Sequence, residues 1–353
     1  MARDYNGRLR LKPVRDQVIV ITGATSGIGL ATAREAARRG ARLVLAARGA
    51  EALERLRTEL ATRGCDAVAV PADVGREEDV KRIAMRAAEH FGNFDTWVNN
   101  AGVTIYGPLT EISLEDQRRL FDTDFWGVVH GSRVAVEHLR RHGGALINIG
   151  SVTCDHAVPL QGIYSAAKHA VKAYTDALRM ELACEEAPVS VTLVKPASID
   201  TPFCRHAKNY LPVQPRNPPP LYSPRVAADA ILFCAETPRS EVVVGGAAEL
   251  ASMLTRAAPR TAERLMQETL FDLQLTDTPA YDTGHCNLHG PGDELDERGS
   301  YRLGGSSGVA ERSLYTRATL DSDPDALADI AGRVARTFWR LGHRPRWRPG
   351  QRH

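Results

Sequence analysis

An excess of either charge is missing from this sequence. Its 45 Lys and Arg residues nearly balance 43 Asp and Glu, for a formal net charge of +2. That leaves no broad electrostatic footprint for nucleic acid, and none is expected as a partner. Cysteine is scarce and scattered: Cys65, Cys154, Cys184, Cys204, Cys234 and Cys286 include no CxxC pair. In a long chain this excludes a disulfide framework and reads as the reduced thiols of a cytoplasmic protein. No apolar run approaches the ~18–20 residues of a membrane span, so no transmembrane segment is expected. The opening MARDYNGRLRLKPVRDQ is basic but holds no apolar stretch, which argues against a secretory signal. Internal repeats are absent too. What remains is an ordinary globular composition, 43% hydrophobic and 25% charged. One α/β domain of about 250 residues with an addition suits this length better than two equal domains.

The apolar, β-branched run QVIVIT (Gln17–Thr22) predicts a buried strand. It feeds Gly23-Ala24-Thr25-Ser26-Gly27-Ile28-Gly29, and an Ala-rich helix follows through Ala31–Arg39. Strand, glycine turn and helix form the context of a dinucleotide fingerprint, in which phosphates sit at the positive helix N-terminus. A plain strand-to-helix turn is the bland alternative, but the spacing here is GxxxGxG rather than GxGxxG. The second strand, Ala41–Arg48, ends about 20 residues past the glycines, where an acid would bind the ribose 2′-hydroxyl of NAD. Ala47 takes the acid's place and Arg48 follows. Arg48 suits the 2′-phosphate of NADP(H), unless it is simply a solvent-exposed strand end.

A helix beginning near Ile163 carries Tyr164 and Lys168 four residues apart, so both lie on one face. At roughly 4–6 Å and an effective dielectric near 20, the ammonium favours phenolate by ~2–3 pK units. A tyrosine tuned that far can exchange a proton near neutral pH, as general acid–base catalysis requires. Alone, Tyr-x-x-x-Lys occurs by chance on many helices. Here it stands with TGATSGIG, with Asp73, with NNAG (Asn99–Gly102) and with Ser151 thirteen residues before Tyr164.

Together these motifs resemble the short-chain dehydrogenase/reductase family over roughly residues 15–250. The resemblance implies a doubly wound Rossmann fold with a parallel sheet, NAD(H) or NADP(H) as cofactor, and no metal. It implies that Asn100, Ala101 and Gly102 line the cofactor, that Asp73 and Val74 lie near the adenine, and that Pro196, Ile199 and Thr201 lie near the nicotinamide. Ser151 is then placed to hydrogen-bond the substrate carbonyl or hydroxyl. Tyr164 resembles the acid/base, and Lys168 holds the nicotinamide ribose while lowering the Tyr164 pKa. One residue departs from the family. Asp124 stands where Asn is usual, keeping acceptor oxygens but losing the NH₂ donors of a water relay to the lysine. It is read as a working, ionised substitute, with a protonated side chain or a helix cap as alternatives.

By family position Phe203–Pro224, with Phe203, Tyr210, Leu211, Leu221 and Tyr222 among many prolines, is a substrate lid favouring an apolar ligand; a stiff surface linker is the alternative. Residues 1–16 read as a basic arm, 17–250 as the catalytic domain and 251–353 as a mostly helical and irregular extension. Within it Ala247–Gln274 reads as helix with a break at Pro259, Thr276–Ser322 as irregular wrapping, and residues 324–342 as an amphipathic helix. His285-Cys286-Asn287-Leu288-His289 lacks an evident fourth ligand and is read as loop, with no metal site. The expected function is NADP(H)-dependent interconversion of an apolar carbonyl and alcohol by a homo-oligomer. A non-catalytic NADP(H)-binding protein and a membrane-associated scaffold are the alternatives.

Overall fold

The computed structural model describes residues 9–246, 259–280, 286–292, 294–299 and 308–321. Seven parallel strands form its central sheet: β1 (Val18–Thr22), β2 (Arg42–Ala47), β3 (Ala67–Pro71), β4 (Thr96–Asn99), β5 (Gly144–Ile149), β6 (Val189–Pro196) and β7 (Glu241–Val244). Their spatial order is β3-β2-β1-β4-β5-β6-β7. The doubly wound parallel sheet read from the sequence is present. Strands β1, β4 and β5 are buried along their whole length, which their continuous apolar runs require when helices cover both faces.

Helices α1 (Gly27–Arg38) and α2 (Ala50–Ala61) pack on one face with α7 (Pro224–Glu236), around Leu30, Leu53, Leu56 and Ile231. Helices α3 (Glu77–Phe91) and α5 (Gly127–His142) cover the other face with α6 (Gly162–Cys184), around Val80, Ile83, Leu139 and Leu182. Between α4 (Leu114–Phe121) and α5 the chain makes a π turn, Asp122–Trp126, and Asp124 sits at its centre. Single π turns within helices re-aim side chains, often at functional sites. Asp124 is therefore no helix cap. The strand order reverses between β1 and β4, so a crevice opens beyond their carboxyl ends.

Residues from the N-terminal arm already join this core, with Leu11 and Val14 buried and Lys12 paired to Asp95 at 2.6 Å. The stretch Phe203–Pro224 is not a free linker. Lys208–Asn209 pairs with Ile105–Tyr106, Val213–Pro215 with Leu275–Pro279, and Leu221–Tyr222 with Val309–Ala310. Two of those three partners come from the C-terminal extension, which also contributes helices Pro259–Gln274 and Leu314–Asp321. The described parts of Thr276–Ser322 are thus less irregular than their composition suggests, since they hold two paired strands and a helix. The amphipathic helix expected at 324–342, residues 1–8 of the arm and the segment before Pro259 lie outside the described residues. Among the described residues no helix is long and apolar enough to cross a membrane.

Candidate active site

The glycine turn is built by close approach. A Cβ on Gly29 would lie 2.1 Å from the Gly23 carbonyl oxygen, and one on Gly23 would lie 2.8 Å from the Ala101 Cα. Gly23 also adopts φ +67°, where side chains are strained. Asn100 locks the turn from β4, its Nδ2 donating to the carbonyls of Thr22 at 2.9 Å and Gly23 at 3.2 Å. Ser26 is the N-cap of α1 yet its side chain makes no capping hydrogen bond, and the Gly27 amide donates instead to the Asp296 carbonyl at 2.9 Å.

A cavity of about 220 Å³ starts at this turn. Its lining includes Gly23, Ser26, Gly27 and Ile28, then Asn100, Ala101 and Gly102, then Ser151, Tyr164, Lys168, Pro196, Ile199 and Thr201, the last so close to the turn that a Cβ on Gly27 would lie 3.1 Å from its Cβ. A second lobe of about 90 Å³ continues past Thr25 to Arg48, Asp73 and Val74. Gly29 lines neither lobe, and its role is the packing contact just described. Asp73 accepts from the Gly75 amide at 3.0 Å and pairs with Arg119 at 2.5 Å.

Ser151, Tyr164 and Lys168 are all brought together and are all buried. Ser151 leaves the end of β5 with its Oγ accepting from the Thr153 amide at 3.1 Å. One helical turn on α6 brings Lys168 Nζ to 5.5 Å from the Tyr164 ring centre. The ammonium donates to the Ile149 carbonyl at 3.2 Å and lies 3.2 Å from Asp124 Oδ2. Asp124 is fully buried; its Oδ1 accepts from the Val103 amide at 2.7 Å, while Oδ2 makes no directed hydrogen bond. Gly102 lies against this pair, where a Cβ would stand at ordinary contact distance, 3.4 Å from Asp124 Oδ2 and 3.7 Å from Lys168 Nζ.

Electrostatics here differ from the simple Tyr–Lys pair. Burial pushes the Tyr164 phenol up to about 12, and the Asp124 carboxylate adds to that, against the opposing pull of Lys168 and a hydrogen bond with Ser151. Lysine alone does not bring the tyrosine toward neutrality, because desolvation disfavours phenolate more than one ammonium favours it. Burial works to lower Lys168, but Asp124, with Tyr164 and Cys154, holds it above the ordinary lysine value. Burial raises the Asp124 carboxyl, with Lys168 and the Val103 amide drawing it back.

The sequence reading missed residues that only long-range packing delivers. Gln161, Asn217 and His206, with Thr104, Thr153 and Ser198, add polar groups to a cavity wall that also holds Val103, Val152, Val158, Phe203 and Pro218. Burial holds His206 below the ordinary histidine range. More distant still, Asn287, Pro291, Gly292 and Glu294 of the C-terminal extension line the second lobe. Arg48 is not a solvent-exposed strand end: its guanidinium donates to the carbonyls of Asn287, of Leu288 at 3.2 Å and of Gly290 at 2.8 Å. Of the His285–His289 stretch, His285 lies outside the described residues, and His289 pairs with Asp116 at 2.6 Å. Among the described residues no cluster of His, Cys, Asp and Glu is arranged to hold a metal.

The short chain dehydrogenase family profile matches residues 17–210. The chain belongs to the short-chain dehydrogenase/reductase family. It is 46% identical over 331 residues to the uncharacterized oxidoreductase YxnA of Bacillus subtilis, covering 93% of this chain and 92% of that one. That alignment is too long to stop at the end of the sheet, so it includes part of the extension. Among solved structures, a short-chain dehydrogenase/reductase from Burkholderia phymatum in complex with NAD aligns with TM-score 0.64 at 27% identity, over 75% of this chain and 98% of its own. A short-chain dehydrogenase from Burkholderia cenocepacia in complex with NADP aligns with TM-score 0.62 at 28% identity, over 72% and 99%. As a member of this oxidoreductase family, the chain has relatives that bind either nicotinamide nucleotide.

Proposed function

We propose that this short-chain dehydrogenase/reductase interconverts a carbonyl and an alcohol with NADP(H), Tyr164 acting as the acid/base. The observation that carries the reading is the buried Ser151–Tyr164–Lys168 cluster at one end of a cavity whose other end reaches Arg48. The residues fit a dinucleotide: Gly23 and Gly27 line the cavity where the turn meets the helix N-terminus, and Arg48 and Lys168 line its two lobes. Gly23, Thr25, Ser26, Gly27 and Ile28 would hold the pyrophosphate half, Asp73 and Val74 the adenine, Asn100 to Gly102 the middle, and Pro196, Ile199 and Thr201 the nicotinamide end. When bound, the nicotinamide would supply or accept the hydride. Ser151 holds the substrate oxygen, Tyr164 gives it a proton, and Lys168 stays cationic beside it. Asp124 holds that ammonium charged at 3.2 Å, while its own carboxylate opposes the phenolate that proton transfer leaves.

The cavity wall is mainly aliphatic and aromatic near Tyr164, with Val103, Val158 and Phe203, the last in edge-on contact with the Tyr164 ring at 5.6 Å. An apolar substrate of moderate bulk follows, oriented by Gln161, Asn217 and His206. The test is a screen of ketones and alcohols of graded size with NADPH and NADP⁺, on the unmodified chain and on Tyr164→Phe. Turnover should fall by about 10²–10⁴ in the variant, with cofactor binding largely kept. A variant that works at near-normal rate places the acid elsewhere.

A further inference from the structure

The C-terminal extension returns to the cofactor groove at residues 286–292 and 294–299, and it engages the donors that phosphates would use. Arg48 spends three hydrogen bonds on the Asn287, Leu288 and Gly290 carbonyls. The Gly27 amide, in the first turn of α1, donates to the Asp296 carbonyl at 2.9 Å. A carbonyl oxygen there takes the place that the helix N-terminus offers an anion. Leu288 anchors the segment, fully buried beside Val103, Leu120 and Tyr164. Arg119 Nε also donates to the Leu288 carbonyl, at 3.1 Å. Farther along, Arg205 holds Glu294 at 2.7 Å and Asp296 at 2.6 Å, and Arg34 holds Glu297 at 2.7 Å.

We propose that this segment is an internal strap that competes with the phosphates of NADP(H) for Arg48 and the Gly27 amide. Cofactor and strap are then alternative partners of one donor set, and binding of the 2′-phosphate releases the strap. The nucleotide without that phosphate has nothing to exchange for the three carbonyls on Arg48, so it displaces the strap poorly. Selectivity between the two nucleotides thus comes from strap release as well as from contact with Arg48. Lifting the strap also frees the Leu288 position beside Tyr164, which links nucleotide choice to the opening of the substrate end. The proposal rests on the NADP(H) reading of the site, and its test separates the two.

Hydrogen exchange of the full chain would be followed at the strap amides with NADP⁺, NAD⁺ and 2′,5′-ADP, alongside calorimetric binding of each. The Asn287 amide, bonded to the His206 carbonyl at 2.9 Å, and the Gly299 amide, bonded to Asp200 at 3.2 Å, report strap closure. NADP⁺ and 2′,5′-ADP should raise exchange at both amides, and NAD⁺ at matched occupancy should raise it far less. A double variant, Asp296→Ala and Glu297→Ala, removes partly exposed ion pairs of the strap to Arg205 and Arg34 and leaves the residues lining the groove in place. It should bind NADP⁺ about three- to tenfold more tightly, since each such pair is worth little but both oppose release. Bound NADP⁺ with unchanged or lowered strap exchange overturns the competition, and so does weaker binding by the double variant. Equal opening by NAD⁺ overturns the role given to Arg48. Failure of NADP⁺ to bind at all overturns the functional reading and the proposal with it.

Discussion

Replacing Asp124 with Asn should move the alkaline behaviour of the site to lower pH, and the size of the shift follows from the distances. Asp124 Oδ2 lies 3.2 Å from Lys168 Nζ, which lies 5.5 Å from the Tyr164 ring centre, placing the carboxylate within about 9 Å of that ring. At an effective dielectric near 20, a unit charge at ~9 Å is worth about 1.8 kcal/mol, a little over one pK unit. Asp124 opposes phenolate, so Asp124→Asn lets Tyr164 deprotonate more easily. The same change removes the carboxylate that holds Lys168 up, so the lysine also releases its proton more easily. Both effects have one sign: the Tyr164–Lys168 pair gives up its first proton at lower pH, whichever group supplies it. The volume barely changes, and the Val103 amide keeps an oxygen acceptor. The assay is the pH profile of kcat for alcohol oxidation with saturating NADP⁺, where Tyr164 must be deprotonated to act as the base, so the limb that rises with pH should move down by about one unit or more. Superimposable profiles would refute the coupling and withdraw Asp124 from the site.

Arg48→Ala should narrow the preference for NADPH over NADH by about ten- to a hundredfold, the worth of a charge-assisted contact, checked by calorimetry; equal dissociation constants in the unmodified chain would sink the cofactor assignment. Gly29→Ala would set a methyl 2.1 Å from the Gly23 carbonyl and 2.5 Å from Asn100 Nδ2. It should abolish measurable nucleotide binding and lower Tm by about 4–10 °C, whereas unchanged melting and binding would contradict the close packing. Glu35, bonded by Arg38 and, against the cost of burial, by Arg39, is held down to about 2 from 4.5. Its contribution is fully present above pH 4.5 and is lost as pH falls toward 2, so Glu35→Gln should cost on the order of 2 kcal/mol at pH 7 and little at pH 2. Denaturant unfolding across that range checks it, and a pH-independent difference would count against the pairing.

Much of the molecule was legible along the chain because the features concerned are local. The run Val18–Thr22 is buried on both faces because nothing in it is polar enough to meet water, and Gly23 turns because only glycine accepts φ +67° without strain. Tyr164 and Lys168 share a face because helical geometry puts residues four apart on one side. Ser151 ends β5 where a strand runs out of apolar residues. Such signals need no knowledge of what lies across the fold.

Tertiary structure decided the rest, wherever the answer depended on what a residue is buried against. The spacing of Tyr164 and Lys168 predicted a lowered tyrosine pKa, but desolvation reverses the sign, and desolvation is a property of the packed site. Asp124 could be read as a helix cap until the π turn set it beside Lys168, 44 positions away in sequence. Arg48 could be read as a phosphate ligand, yet its hydrogen-bond partners include carbonyls some 240 residues on. Those partners are backbone oxygens in a segment of unremarkable Gly, Asp and Asn. Every residue carries such an oxygen, so no side-chain pattern announces which ones will close over the groove.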